Sequence, residues 1–445
     1  MKIRATLATA LAALALSGAV RAQTSEGGTA TLPDKLDLKS AILYALDHNY
    51  TIRQAREQIR VQEGVILQVE SQRIPNVVAI GQYQRNASDI SSSSPPETSS
   101  WAVELKATQA LYAGGGIDSS VKGARLAREA ALYDLQATIN AALLDVRTRF
   151  LGVLLAREKV RVQEDNIELY TRQLKDTENQ FHAGTVSNFE VLRSEVSLAN
   201  AQPDLITARN NYRIGIEQLR QALGVPAAPA GVPVPFPEVV GALDFTPETY
   251  EADSALSAAH ANRPELLRIA KLQESGEQAV VVAKSTYYPN LSAFGAYEWV
   301  GAGLKYTNVN ENGWLVGLQS SWSIFDGRAT AGRVRQASSQ LEQAKLTYAS
   351  AELGVEVEVR QALSSLQEAA ELVAASRKTV EQADEALRLA NARYHAGSAT
   401  QLDVLTSQVS LTQARTNVLQ ASYNYTVALA SMRKAVGLGD AFIGR

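Results

Sequence analysis

The sequence predicts a mixed fold of α-helix and membrane-type β-strand. Very long coiled-coil helices are joined at one end to short lipid-facing strands, and the plan is written twice. Three observations predict it. First, a turn recurs: residues 181–192 read Phe-His-Ala-Gly-Thr-Val-Ser-Asn-Phe-Glu-Val-Leu, and residues 394–405 read Tyr-His-Ala-Gly-Ser-Ala-Thr-Gln-Leu-Asp-Val-Leu. His182 matches His395, Gly184 matches Gly397 and Glu190 matches Asp403, each 213 positions on. Second, a proline-free helical pattern precedes each turn, over 117–181 and again over 328–394. Third, period-two alternation sits at the far end of each pattern.

Residues 1–22 read as an export signal: Lys2 and Arg4, an apolar stretch from Leu7 to Leu16, then Val20-Arg21-Ala22 as the cleavage site. That stretch is too short to span a bilayer, and no later segment offers the ~20 apolar residues a membrane helix needs. The chain has no cysteine, which excludes disulfides, thiolate metal sites and a lipidated N-terminal cysteine. Without Lys2, Arg4 and Arg21, the 43 basic residues fall to 40 against 46 acids, a net charge of −6 that disfavours a nucleic-acid partner.

The first repeat is expected over 23–224. Residues 36–74 carry apolar positions at helical spacing and stop at Pro75. A hairpin of about 76–111 follows. Its second strand puts Trp101, Val103, Leu105 and Ala107 on one face and Glu104, Lys106 and Thr108 on the other. The serine-rich 89–100 stretch, with Pro95-Pro96, reads as the loop between the strands. Gly114-Gly115-Gly116 makes the exit. It lacks the Gly-Lys-Ser/Thr ending of a phosphate-cradling loop, so it is a strand-to-helix turn. The 117–181 pattern steps through Leu132, Leu135, Ile139, Val146, Val160, Ile167, Leu174 and Phe181, a coiled-coil seam roughly 100 Å long at 1.5 Å per residue. After the turn at 182–187, helix resumes from Asn188 to Leu223, kinked or broken at Pro203.

Residues 225–262 are a proline-rich link; 225–247 alone hold six of the thirteen prolines, an extended and semi-rigid composition. The second repeat, 263–437, has a helix to Ser285, a hairpin of about 290–325 with its loop at 301–313, a long helix, a turn at 395–400 and a returning helix. Residues 438–445 are a tail.

Four strands cannot close a barrel, and an open sheet edge is not tolerated in lipid. A lipid-facing sheet therefore needs several chains, and three would supply twelve strands. Trp101, Trp299, Trp314 and Trp322 all lie on or beside the strands, where interface aromatics belong.

The duplicated helix–hairpin–helix plan, the second turn from Arg393-Tyr394 through Gly397 to Asp403-Val404-Leu405, the Arg263-Pro264-Glu265-Leu266 run and the Tyr288-Pro289 approach to a strand carry a resemblance. Together they resemble the TolC-type outer-membrane efflux channels over nearly the whole mature chain. The resemblance implies a homotrimer with a 12-stranded barrel in outer-membrane lipid and a long α-helical barrel crossing the periplasm. It implies that short segments form a belt around the helices. The helical turns form the closed inner end, where a periplasmic adaptor and an inner-membrane pump dock.

On that reading Asp403 and Glu190 line a constriction, as a carboxylate ring that favours cations; as bare sequence they are also ordinary helix N-terminal acids. Tyr394 and Arg393 take part in holding the inner end shut, although Tyr394 also simply ends its seam as Phe181 does. The family's basic residue just after the turn glycine is missing at Ser398-Ala399-Thr400, and Asn179 and Glu190 depart from the pattern in the first turn. Gly184, Thr185, Gly397 and Ser398 form the adaptor-contact tips, or plain structural turns. His182 and His395 have no second ligand adjacent, and repetition alone explains the pair. Glu104, Lys106, Glu298 and Gln319 face a wet lumen. No nucleophile–base set, metal cluster or cofactor loop stands out, so no catalytic, metal or cofactor residue is expected. As the exit duct of a tripartite efflux or type I secretion system, the chain leaves its cargo open among drugs and solvents, metal cations and secreted polypeptides; a metal exporter would carry Met or His along its lumen, so two methionines and four histidines favour organic solutes. The competing reading is a structural trimeric coiled-coil stalk with a β-barrel anchor, for which a second strand pair is superfluous.

Overall fold

The computed structural model describes residues 32–85, 97–226, 236–304, 308–440 and 442. The export signal, most of the serine-rich loop and part of the proline-rich link lie outside them.

The chain opens with β1 (Lys35–Leu36) and α1 (Leu38–His48), which Asp37 caps by accepting the Ser40 N–H at 2.9 Å. Where periodicity predicts one helix over 36–74, the helix breaks at Asn49 (φ −61°, ψ 126°). The Asn49 side chain accepts from the Thr51 and Ile52 N–H groups, starting α2 (Tyr50–Glu70), and donates to the Ala222 carbonyl at 2.7 Å. An asparagine that satisfies orphan amides favours a new helix start over continuation. A single 3₁₀ turn (Ser71–Arg73) leads past Pro75.

Then come β2 (Asn76–Arg85) and β3 (Glu97–Ala113), α3 (Gly116–His182) and α4 (Asn188–Leu223). Helix α4 holds Pro203 without interruption, so no break occurs there. Across the link, β4 (Glu238–Val239) pairs in parallel with β1. Helix α5 (Ala252–Asn262) occupies part of the expected link; the four-residue spacing of Ala255 and Ala259, both buried, was its sequence signal. The remainder is α6 (Pro264–Ser285), β5 (Asn290–Leu304), β6 (Asn308–Ser321), α7 (Ala329–His395) and α8 (Gln401–Ala435). Both β3 and β5 extend into the expected loops, which corrects the loop boundaries at 89–100 and 301–313. The last strand stops at Ser321 rather than reaching Phe325.

The strands form one antiparallel sheet in the order β2-β3-β5-β6, leaving β2 and β6 at its edges. All ten β2–β3 pairings, from Asn76 with Thr108 to Arg85 with Ser99, recur between β5 and β6, with the first strand advanced by 214 and the second by 213. The register places Trp101, Val103, Leu105, Tyr297, Trp299, Trp314 and Leu318 on one face, all exposed, and Glu104, Lys106, Glu298 and Gln319 on the other.

Helix α3 is the spine. It packs on α2 and α6 toward the sheet and on α4 and α8 toward the turns, while α7 packs on α6 and α8. With 67 residues each, α3 and α7 are roughly 100 Å long at 1.5 Å per residue. Two compact cores interrupt their length. One gathers Leu36, Ile42, Leu143, Phe150, Leu154 and Leu223 around β1, β4 and α1. The other gathers Leu266, Val355, Leu366, Val373, Tyr425 and Met432 around α5. Short segments are tied down here: Tyr425 Oη donates to the Thr246 carbonyl at 2.8 Å, and Arg147 holds Asp440 of the tail with a two-pronged ion pair at 2.8–3.1 Å. Gly224 (φ 76°) and Gly437 (φ 75°) end α4 and α8 against the joints before α2 and α6. A Cβ would come within 2.3 Å of the His48 carbonyl oxygen and 2.8 Å of the Asn262 carbonyl carbon, so glycine is required at both.

Candidate functional site

Two ends of the molecule carry the sequence-predicted residues. At the far end from the sheet, α3 and α7 terminate in the same helix-ending motif. Gly184 (φ 74°) and Gly397 (φ 72°) take the left-handed conformation. Their N–H groups donate to Phe181 and Tyr394 carbonyls, and the next residues, Thr185 and Ser398, donate to Gln180 and Arg393 carbonyls at 2.9 Å. This pairing satisfies carbonyls that a helix end leaves orphaned. Thr185 and Ser398 also spend their hydroxyls on those carbonyls, at 2.9 and 3.2 Å. A Cβ added to Gly184 or Gly397 would meet nothing within 4 Å, so both tips project into solvent.

The acids part ways. Asp403 forms a capping box with Thr400: its Oδ2 accepts the Thr400 N–H and hydroxyl, both at 2.8 Å, and the Asp403 N–H returns to Thr400 Oγ1. The Thr400 amide and hydroxyl hold the Asp403 carboxyl below its ordinary range, with Arg393 adding a smaller pull. Glu190 has no such cap; Ser187 makes no side-chain bond to its helix. Glu190 leans toward Arg193 at 3.8 Å, and its Oε2 is buried without a hydrogen bond. Arg393 closes its own turn by donating to the Ser398 carbonyl at 3.3 Å.

Tyr394 joins the two halves. Its hydroxyl donates to Gln180 Oε1 at 3.0 Å, linking the ends of α7 and α3. Burial pushes the phenol pKa up, and the nearby Glu190 and Asp176 charges add to this, so the hydroxyl stays a donor. Beside it is a polar contact that the sequence did not reveal. Gln401 is buried, and its Nε2 donates to Thr177 Oγ1 at 3.1 Å and Ser194 Oγ at 2.5 Å, tying α8 to α3 and α4. The repeat of the turn gives no hint of it, because Gln401 matches Asn188, which is exposed. The one available signal was small hydroxyl residues, Thr177 and Ser194, on otherwise apolar seams.

His182 and His395 lie on the exposed tips. Among the described residues no group of three or more His, Asp or Glu side chains is placed to hold a metal ion. No described helix is long and apolar enough to cross a membrane, which says nothing of strands.

At the other end, Trp101, Trp299 and Trp314 share one face of the sheet with Tyr83 and Tyr297. Trp322 lies beyond the end of β6, with Nε1 donating to the Tyr287 carbonyl at 3.0 Å. Eight steps separate Trp314 from Trp322, about 26 Å at the rise of a strand continued one residue past Ser321.

The profile of the family described as outer membrane efflux protein matches residues 42–225 and 255–438. Nodulation protein T of Rhizobium leguminosarum bv. trifolii is 22% identical over 90% of this chain and 85% of its own length. The outer membrane protein TolC of Escherichia coli strain K12 is 25% identical over 66% of this chain and 61% of its own length. Among solved structures, CusC superimposes with a TM-score of 0.76 at 17% identity, covering 90% of this chain and 92% of that one, which shows the shared fold.

Proposed function

The chain belongs to the outer membrane efflux protein family, and from that premise we propose that three copies build one duct from the periplasm to the cell exterior. It is an outer-membrane efflux channel. The finer reading rests on one observation: an open four-stranded sheet with an exposed apolar outer face at one end of helices roughly 100 Å long. Three such sheets supply twelve strands and remove every open edge. The aromatic levels of Trp314 and Trp322, about 26 Å apart along the strand, come to roughly 18–21 Å along the membrane normal at a 35–45° strand tilt, the same order as the ~25 Å apolar band of an outer-membrane barrel. Recurrence of the sheet pairings, and of the family match 213 residues on, supports an internal duplication.

In this reading the helical turns form the inner end. Gly184, Thr185, Gly397 and Ser398 present backbone-closed, exposed tips to a periplasmic adaptor, which couples the duct to an inner-membrane pump. Asp403 stays ionised at neutral pH because its cap stabilises the carboxylate, and three copies set a negative ring at the pore's narrow end. Glu190 supplies a second ring. Tyr394 with Gln180 keeps the two helical hairpins together, and Arg393 stiffens the turn beside them. The protein's part is to offer a gated aqueous path, with small organic solutes as the expected cargo.

Single-channel conductance in a planar bilayer tests this. The expected result is a small, cation-preferring conductance whose size or selectivity changes in Asp403→Ala and, less, in Glu190→Ala. Conduction indifferent to both changes would keep the duct and remove the acids from its constriction. A folded assembly that never conducts, even with both turns altered, would replace the duct by a stalk.

A further inference from the structure

The two edge strands of the sheet carry, in their own sequence, the register in which neighbouring copies meet. We propose that β6 of one copy pairs antiparallel with β2 of the next so that Leu318 faces the next copy's Tyr83, Gln319 faces its Gln82, and Phe325 faces its Val77. This rests on the reading that several copies close one barrel, and adds the residue-level joint.

The template lies inside the chain. The β3–β5 seam joins the first hairpin to the second, pairing Leu105 with Tyr297, Lys106 with Ala296 and Tyr112 with Leu291, with a bulge between Ala110 and Tyr112. A closed barrel must also join the second hairpin to the first hairpin of the next copy, the same kind of seam. The hairpins correspond pair for pair when first strands shift by 214 and second strands by 213. Leu105 advanced by 213 is Leu318, and Tyr297 taken back by 214 is Tyr83. Lys106 and Ala296 become Gln319 and Gln82. Beyond the bulge, Tyr112 and Leu291 become Phe325 and Val77.

The transfer keeps face parity, as the pairings it uses require, since a slip of one residue sends every side chain to the wrong side of a sheet. Within one chain, Tyr83 and Leu318 already share the outer face, 70% and 69% exposed, and Gln82 and Gln319 share the inner face. Equal shifts of 213 for both strands would instead have set Leu318 against a residue of the opposite face. One observation not used in the transfer agrees with it: the stretch after β6. Its counterpart, Leu111–Ala113, is strand because β5 lies beside it. Residues 322–326 leave strand geometry within the single chain, and Ile324 and Phe325 are each 84% exposed. The proposed seam extends β6 through them, with Ile324 at the bulge and Phe325 covering Val77, which is itself 60% exposed. Backbone donors and acceptors on both edges are satisfied by the same step.

The cysteine-free sequence makes the test direct. Two matched double variants, Gln82→Cys with Gln319→Cys and Tyr83→Cys with Leu318→Cys, probe opposite faces. Two displaced controls, Gln84→Cys with Gln319→Cys and Gly81→Cys with Leu318→Cys, are off by two residues. Edge strands of one sheet are three spacings apart, about 14 Å, so a disulfide, which needs Cα atoms within ~7 Å, forms only between copies. After oxidation of the purified proteins, the expected result is covalent dimer and trimer from both matched pairs, roughly fivefold more than from the displaced pairs. Displaced pairs linking as well or better would overturn the register. A trimeric native mass with no pair linking would overturn the seam while leaving the duct intact. A monomeric native mass of folded protein would overturn the trimer itself, and the seam with it.

Discussion

The turns at 182–187 and 395–400 trace the same backbone and are held by different side chains. Their glycines sit at φ 74° and 72°, and their closing hydrogen bonds correspond one for one. Yet the second returning helix starts on a Thr400–Asp403 capping box, while Ser187 gives the first no side-chain cap and a buried oxygen of Glu190 has no hydrogen bond, only Arg193 at 3.8 Å. Backbone geometry is thus fixed by the glycine and the carbonyls it serves, and side chains are free to diverge around it. Where helices leave the sheet the backbone recurs even without the glycine: Gly115 takes φ 79°, and its counterpart Arg328 takes φ 73° despite its side chain. Side chains diverge again at the mid-helix joints. Asn49 donates to the Ala222 carbonyl, whereas Arg263 donates to the matching Ala435 carbonyl and also to Glu358 at 2.6 Å and Glu265 at 3.1 Å.

The largest expected difference between the halves is at these joints. Arg263 is buried, and Arg263→Ala leaves the Ala435 carbonyl and Glu265 without their partner and Glu358 with Lys434 alone, at 3.7 Å. A loss of about 2–3 kcal/mol is expected, the pair energy being reduced because Glu358 is partly solvated. Asn49→Ala removes one neutral bond and a cap, about 1–2 kcal/mol. Denaturant midpoints of the two variants measure this, and equal losses would break the contrast.

Next are the tips. Gly184→Ala and Gly397→Ala each meet no steric neighbour, so each costs only the left-handed penalty, about 1–2 kcal/mol. Hydrogen exchange of the last helical turn reads it. Unequal costs would show that the side chains, not the glycine, set the path.

The cap predicts an asymmetry of about 1 kcal/mol. Thr400→Ala should loosen the start of α8 by that much, and Ser187→Ala should leave α4 within a few tenths of unchanged. The pH dependence has a definite sign. Asp403 has a depressed folded pKa, so its contribution is present above the unfolded carboxylate value, about 3.9, and is lost as pH falls through the folded value. Faster exchange at the second turn below about pH 4, abolished in Asp403→Asn, is the outcome to look for. At the helix exit, Arg328→Gly relieves a left-handed φ of the same kind and should gain about 1 kcal/mol, visible as a raised thermal midpoint.

Long helices, both turns and the strand pairs were legible because their signals are local and repetitive. A seam of apolar residues every three or four positions, a glycine before a polar tip, and alternation along a strand are each written in a dozen consecutive residues. Repetition at 213 residues then made each half a check on the other. What failed was local too, but outvoted. Asn49 broke a periodic helix because capping two amides and reaching Ala222 outweighed continuation. Helix α5 lay hidden in a stretch dominated by prolines upstream of it.

By itself, then, the sequence determined helix periodicity, the place of the two glycine turns, the faces of the strands and the absence of any thiol chemistry, since each depends on neighbours along the chain. Only the tertiary structure decided that Gln401 is buried against Thr177 and Ser194, that Tyr394 reaches Gln180 rather than a basic partner, and that Arg147 clasps Asp440. Those contacts join residues more than 200 positions apart. Whether a polar side chain finds a partner across such a distance depends on how helices pack, which no local pattern encodes.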